Sequence, residues 1–537
     1  MLATMQRHEL LTSSIIRHAA RQHPRSPVIS RLADGQLHTS NYVTIERRAR
    51  RLASALARLS VRPGDVVATL AMNGHRHLEL YYAIGGMGAV CNTMNPRLDP
   101  VDVAYILDHA GAATVCVDAA LLPVLERALA VAPHGVRTVI RLDPGDVATG
   151  PLDYETLLDG EGDDYEWPAL AEETACGICY TSGTTGRPKG VVYSHRSTVL
   201  HAMALQGGDT MALRSVDRVM PVVPMFHVNA WGTPYAAPMA GAALVLPGRQ
   251  IDGLNVLDLM DRAGVTFACG VPTIWLALLD HLRRTGARPA TLRRMVVGGA
   301  ACPRVLMDDF QALGVDVIHA WGLTESSPIA TYNQPVPGTV SLEEAARTAQ
   351  RMSVGRPPFG VELRAVGGDG AEVARDGVTP GVVELRGHWI AAGYHGQAKV
   401  TDADGWFATG DVGALDVDGF VTLTDRTKDL IKSGGEWIGS LVLEDIAMSC
   451  EGVAEAAVIA ADHPRWSERP LLLAVAREGV TLDPATLLAA YAGRVPRWWV
   501  PDAALIVEAL PHGATGKLQK TALRERFGHY FMLDATG

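Results

Sequence analysis

The chain has 537 residues, too many for one ordinary core, so two or more domains are expected. Apolar residues make up 48% and charged residues 20%, a globular balance, and no window reaches the about 18 uninterrupted apolar residues that cross a bilayer. A net charge of −10 without a dense basic tract argues against nucleic acid as a main partner, so an anionic ligand must be met by local cations and backbone amides. Met1 to Ser30 carries Arg17, Arg21 and Arg25 but no apolar core of secretory type. Its Leu10, Ile15, Ile16 and Ala19 predict an ordinary amphipathic helix, and a transit peptide is the less favoured reading because the fold begins almost at once.

Ser40 is placed to cap a helix carrying Val43, Ala49, Leu52, Ala53 and Leu56 on one face. Pro63-Gly64-Asp65 then turns the chain into the apolar run Val66 to Met72. A helix around His75 to Ile84, a strand over Ala89 to Cys91 and further alternating segments follow, at Asp99 to His109, Thr114 to Val117, Leu121 to Val131 and Arg137 to Arg141. Strands that are apolar throughout, alternating with amphipathic helices, predict parallel sheets covered on both faces. Ala175 to Tyr180 reads as another buried strand, and its Cys176 and Cys179 as small core residues. The seven cysteines are scattered, and this lone pair lacks the partners a zinc site needs.

The alternation resumes at Asp217 to Pro224, Ala242 to Leu246 and Thr266 to Cys269. Pro272 starts a helix bearing Ile274, Leu276, Leu279 and Leu282, and Arg294 to Val297 and Val315 to His319 complete the block. From about Val354 the texture changes to short, turn-punctuated strands: Val361 to Val366, Gly381 to Arg386, Trp406 to Thr409 and Gly419 to Leu423. That predicts a small antiparallel, barrel-like element. A polar stretch then leads into a compact α+β unit, which sets the expected domains at 1–427 and 428–537. The fold class is therefore α/β: two doubly wound sheets and the antiparallel subdomain, followed by a small α+β domain.

Between Thr181 and Gly190 the chain packs three glycines, four hydroxyl side chains and two cations. Small residues let backbone N–H groups approach an anion, hydroxyls donate further bonds, and Lys189 adds a point charge. Thr181, Ser182, Gly183, Thr184, Thr185, Gly186 and Lys189 thus form a candidate polyphosphate loop. Gly190 follows Lys189, so the Gly-Lys-Ser/Thr ending of a P-loop is missing. Gly298-Gly299 and Trp321-Gly322 also follow strands, where ligands of open α/β sheets sit. Gly322-Leu323-Thr324-Glu325 offers a carboxylate beside that loop, a natural Mg²⁺ ligand. Gly410-Asp411 with Arg426 fifteen residues later offers a carboxylate to vicinal hydroxyls.

These motifs, in this order and covering roughly Leu10 to Tyr530, resemble the adenylate-forming enzymes: acyl-CoA synthetases, firefly-type luciferases and peptide-synthetase adenylation domains. The resemblance assigns Thr181 and Glu325 to the metal, and Thr324 to the α-phosphate region. It assigns Gly299, Ala300, His319, Ala320, Trp321 and Gly322 to the nucleotide, and Asp411 with Arg426 to its ribose. Trp321 stands where the family usually has tyrosine, keeping an aromatic face for adenine. In Asp425 to Trp437 the family has a hinge and thiol channel, with Lys428 at the pivot, Gly435 and Trp437 on the coenzyme A side, and Lys432 among the cofactor-binding residues. In Pro511-His512-Gly513-Ala514-Thr515-Gly516-Lys517 it has a lysine that bridges carboxylate and α-phosphate. Gly439 departs from the commoner serine, an exchange expected to loosen the hinge-side loop.

Pro224-Met225-Phe226-His227-Val228-Asn229-Ala230-Trp231, with Tyr193-Ser194-His195-Arg196, looks closest to bacterial medium- and long-chain fatty acyl-CoA synthetases. The resemblance places His227, Val228, Trp231 and Gly299 around the acyl group, with Trp231 gating its tunnel, and counts His227 with Lys517, Glu325 and Thr181 among the catalytic residues. It implies two half-reactions: carboxylate plus ATP gives acyl-AMP and pyrophosphate, then coenzyme A gives acyl-CoA and AMP. It further implies a cytoplasmic homodimer with no integral membrane span, and leaves a peripheral membrane contact open. Alternatives share every nucleotide motif: a fatty acyl-AMP ligase serving carrier proteins, or a ligase for aryl or short-chain acids. A P-loop kinase would release ADP, and a non-catalytic binder would not need Glu325, Asp411, Arg426 and Lys517 together.

Overall fold

The computed structural model describes residues 4–143, 150–181, 187–434, 436–513 and 518–533. Among them a first sheet orders seven strands as Leu152–Asp153, Thr138–Arg141, Thr114–Val117, Val66–Leu70, Val90–Thr93, Ala175–Thr181 and Lys189–Ser194. All neighbours are parallel except the last pair. A second sheet orders eight: Ile329–Tyr332, Asp316–Gly322, Arg294–Val297, Phe267–Gly270, Arg218–Pro221, Ala243–Leu246, Pro27–Arg31 and Leu37–Asn41. Only its two outermost pairs are antiparallel. Thr114–Val117, Ala243–Leu246 and Phe267–Gly270 are buried along their whole length, the reason those runs hold no alternating polar residues.

Two local expectations shift. The helix Tyr42–Arg58 is capped by Asn41, whose side chain accepts from Thr44 N–H at 2.9 Å, while Ser40 Oγ lies 3.4 Å from the Val28 carbonyl across the hairpin. Ile45, Ala49, Leu52, Ala53 and Leu56 fill the core, but Val43 is 43% exposed. The helix Pro272–Thr285 buries Trp275, Leu278, Leu279 and Leu282, leaving Ile274 and Leu276 half-buried. The Trp275 indole donates to the Gly270 carbonyl at 3.0 Å and fixes that face. Cys176 and Cys179 are buried, and burial pushes the Cys176 thiol up to about 12, so it is inert core.

Val361–Val366, Gly381–Gly387, Phe407–Leu415 and Val421–Arg426 form an antiparallel meander. Beyond it, Ile431–Ser433, Glu436–Ile438, Val453–His463, Ser467–Ala476 and Ala503–Ile506 build a last sheet with helices against it. The helix Ser440–Met448 also rests on Val421–Arg426, where Ser440 N–H donates to Asp425 Oδ2 at 2.7 Å. Gly439 sets how closely they approach. A Cβ there would lie 2.5 Å from Thr424 Cγ2 and 2.8 Å from the Thr424 carbonyl oxygen. The glycine therefore tightens this joint instead of loosening it. Gly439→Ser is expected to cost about 1–3 kcal/mol by overpacking, read as a lowered urea midpoint; an unchanged midpoint would show that the joint gives freely.

Candidate active site

The strand Ala175–Thr181 ends half-buried at Thr181, paired across the antiparallel edge with Lys189. Ser182, Gly183, Thr184, Thr185 and Gly186, the body of the expected loop, lie outside the described residues. The described residues next to this segment in the chain, Tyr180, Arg187 and Lys189, meet an aromatic and basic rim. Arg187 lies over Tyr105 at 4.9 Å, Lys189 over Tyr394 at 5.0 Å, and His109 Nδ1 is 2.8 Å from Tyr180 Oη. The short helical turn Thr324–Ser326 packs on Ala175–Thr181 and so brings Glu325 to the same place. Tyr394 O–H donates to Glu325 Oε1 at 2.7 Å, and Tyr193 O–H donates to the Thr324 carbonyl at 2.8 Å. One oxygen of Glu325 is thus held and oriented. Glu325 and Thr181 are hard oxygen donors of the kind Mg²⁺ takes alongside phosphate and water.

Trp321 and Asp411 meet directly. The indole Nε1–H donates to Asp411 Oδ2 at 2.8 Å, and Arg426 Nε lies 3.0 Å from Oδ1. Asp411 faces Arg426 in the meander's register, so the pair is set by backbone pairing. Gly322 is enforced, because a Cβ there would sit 1.7 Å from the Pro328 carbonyl oxygen. Gly299 adopts φ +80°, in the left-handed region. Ala300 follows it on the surface. His319 is not brought to the site: its ring turns to the Ser353 carbonyl, Nδ1 at 3.0 Å, and burial lowers its pKa to about 4.

The segment expected on the acyl side has an uncommon backbone. Val228, Asn229, Ala230 and Trp231 take φ of 45°, 53°, 47° and 57°, a turn of left-handed helix without glycine. Such residues cost about 1–2 kcal/mol each, so surrounding contacts must hold them. Asn73 fixes the chain just upstream: its Nδ2 donates to the Pro221 and Val223 carbonyls at 2.9 and 3.0 Å, and its Oδ1 accepts from Met225 N–H at 2.7 Å. Cys179 Sγ touches Asn229 Oδ1 at 3.6 Å. At the other end a Cβ on Gly232 would lie 2.7 Å from the His201 ring. The turn presents His227, Val228 and Trp231 to a narrow crevice of about 40 Å³, whose other walls are Gly298, Gly299, Ala320, Trp321, Gly322, Leu323, Thr324, Pro328 and Ile329. Eight predicted residues therefore converge there: His227, Val228, Trp231, Gly299, Ala320, Trp321, Gly322 and Thr324.

The hinge-side residues stand apart from that crevice. Lys428 lies among Asp429, Arg426 and Arg524; partial burial and the two arginines lower its pKa against the pull of Asp429. Lys432 and Trp437 pair across a short exposed hairpin, with Nζ 5.7 Å from the ring. Gly435 and Lys517 lie outside the described residues. Sequence reasoning gave no role to Tyr394 or Asn73. Tyr394 stands between Gly393 and His395, and His395 N–H donates to the Gly190 carbonyl at 2.8 Å. The only signal was an aromatic among glycines.

The chain matches the AMP-binding enzyme family over residues 16–395 and the AMP-binding enzyme C-terminal domain over residues 442–517. A 3-methylmercaptopropionyl-CoA ligase of Ruegeria pomeroyi is 48% identical over 536 residues, covering 98% of this chain and 99% of its own. A medium-chain-fatty-acid–CoA ligase of Ectopseudomonas oleovorans is 46% identical over 535 residues, 98% of each chain. Among solved structures, the anthranilate CoA ligase AuaEII in complex with anthranoyl-AMP shares the fold at a TM-score of 0.87 and 24% identity, covering 98% of this chain and 99% of that one. Family motifs, sheet order and near-complete coverage agree: the chain belongs to the AMP-binding, adenylate-forming enzymes as an acid–thiol ligase that uses ATP, Mg²⁺ and coenzyme A.

Proposed function

We propose that this ligase activates aliphatic fatty acids. What supports the reading is the 46% identity to a medium-chain-fatty-acid–CoA ligase, together with the apolar side chains of Val228, Trp231 and Ile329 in the lining of the crevice. Burying a tail against such a wall is worth about 0.8 kcal/mol per methylene. Glu325 and Thr181 would hold Mg²⁺, whose positive charge offsets that of the polyphosphate. Asp411 would accept from the ribose hydroxyls, and Lys517 would draw carboxylate and α-phosphate together. In the first half-reaction a carboxylate oxygen attacks the α-phosphorus and pyrophosphate leaves. In the second the coenzyme A sulfur attacks the acyl carbon and AMP leaves. A rotation of residues 428–537 against residues 1–427, about Lys428, would present the coenzyme A side for the second step.

A second reading, a short thioether acid, is favoured by the narrowness of the crevice and by the Ruegeria relative's name. Carboxylate-dependent ATP–pyrophosphate exchange over a panel of straight-chain acids and 3-methylmercaptopropionate separates the two, followed by detection of the coenzyme A thioester. Preference rising with chain length supports the fatty-acid reading; exchange confined to the short acids overturns it. A cytoplasmic homodimer belongs to the same proposal, and sedimentation at micromolar concentration tests its stoichiometry.

The Trp321–Asp411 bond gives a separate expectation. Trp321→Phe keeps an aromatic face but removes a donor to a buried carboxylate. Hydrogen bonds to charged groups contribute about 1.5–3 kcal/mol. KM for ATP should rise at least about tenfold with kcat changed less, and the ratio against 2′-deoxy-ATP should shrink. A KM equal to the parent's would mean that the indole does not position Asp411.

A further inference from the structure

A second cavity, of about 570 Å³, opens where the hairpin Pro27–Asn41 meets the first turns of the helices Tyr42–Arg58 and His75–Gly86. It is large enough for a small metabolite and shares no lining residue with the crevice of His227 and Trp231. Four arginines line it against one carboxylate, Glu155. Arg48 and Arg76 both bind Glu155, at 2.8 and 2.7 Å. Behind the wall Arg48 also binds Glu79 at 2.9 Å, and Arg76 lies 3.7 Å from Asp143. Those carboxylates occupy two of the arginines. The exposed Arg25 and Arg47 have no ion pair or hydrogen bond among the described residues. Two helices of 17 and 12 residues begin at this wall, and their N-terminal fields favour an anion.

His75 supplies the independent observation. It is 4% exposed, stacks on His38 at 4.1 Å and borders the cavity. Neither nitrogen of its ring has a hydrogen-bond partner among the described residues; only its backbone N–H is taken, by Ser30 Oγ at 2.9 Å. Buried polar groups in folded proteins ordinarily have partners, so this ring faces a place where one is to be supplied. Burial first, then Arg76, His38 and Arg48, lower its pKa to about 2, so it stays a neutral imidazole with one N–H to give.

We propose that this cavity binds a small phosphate-bearing metabolite, with the phosphate held between Arg25, Arg47 and the stacked His75 and His38, as an anion site separate from the nucleotide site. Guanidinium forks, a neutral imidazole donor and helix N-termini together suit a tetrahedral oxyanion. Full-length enzyme carrying ¹³C-labelled histidine, saturated with AMP at the nucleotide site, is titrated with inorganic phosphate against a sodium chloride series of equal ionic strength. The His75 and His38 signals, assigned with His75→Gln and His38→Gln, shift saturably with phosphate. The Arg25→Gln/Arg47→Gln double variant, whose altered side chains are exposed and unbonded, keeps its pyrophosphate exchange and weakens phosphate binding at least about tenfold. Signals that follow the chloride control, or a double variant that titrates like the parent, overturn the proposal.

Discussion

Lys517→Ala abolishes carboxylate-dependent ATP–pyrophosphate exchange, a loss of at least about 10²–10³-fold, while thioester formation from supplied acyl-AMP persists. The reason is electrostatic. Adenylation brings a carboxylate against a polyphosphate, both anionic, and a cation aimed at the forming bond lowers that repulsion where it is greatest. Thioesterification joins a sulfur to an already activated carbonyl, and AMP leaves without a second anion having to approach. In the proposed mechanism Lys517, which follows the small residues Gly513 to Gly516 in the chain, would be that cation. Comparable losses in both halves would instead assign Lys517 a general role in folding or domain contact.

Lys520→Met destabilises the C-terminal sheet and its joint by about 3–5 kcal/mol, the cost of leaving a buried charge unpaired. Lys520 Nζ lies 2.7 Å from Glu444, contacts Ser440 Oγ, and is almost wholly enclosed. Glu444 also accepts from Val458 N–H at 2.8 Å. Burial pushes the Glu444 pKa up, and Lys520 opposes it; removing Lys520 leaves burial less restrained. The folded variant therefore binds a proton where unfolded Glu444, with its ordinary value of 4.5, does not. Its stability climbs as pH falls through the raised folded value toward 4.5. In the parent, burial of Lys520 is outweighed by Glu444 and Asp425, which raise its pKa, so its contribution persists until strongly alkaline pH. Urea unfolding of both proteins at neutral and mildly acidic pH checks this. A variant as stable as the parent, or one whose deficit does not shrink on acidification, would sink it.

Two lysines three residues apart thus have different characters, and only one was legible. Lys517 stands in a motif that the sequence displays, whereas Lys520 looks like an ordinary first-turn lysine until Glu444, far off in the chain, is seen beneath it. The parallel strands were legible because burial on both faces leaves continuous apolar runs such as Thr114–Val117. The cap of the helix Tyr42–Arg58 was not, because Ser40 and Asn41 are both competent and the hairpin's exit angle chooses. Asp411 and Arg426 were readable as a pair since one antiparallel register brings them together. Tyr394 and Glu325 are 69 residues apart with no period linking them. The turn of the His319 ring toward the Ser353 carbonyl was not legible, because strand position alone does not say which way a ring points. The run Val228 to Trp231 has no glycine, so nothing local announces positive φ; distant clamps impose it.

That run has a bearing on how substrate range can diversify. A wall whose shape is borrowed from its neighbours is not a set of independent letters to be rewritten one at a time. Exchanging Val228 or Trp231 for a side chain of another bulk also loads Cys179, whose Sγ meets Asn229 Oδ1, and Thr233, whose hydroxyl donates to the Ala230 carbonyl at 2.7 Å. New acid preferences in this scaffold should therefore arise by joint change at the lining and at those supports, and libraries that vary all of them together should yield more active members than libraries that vary the lining alone.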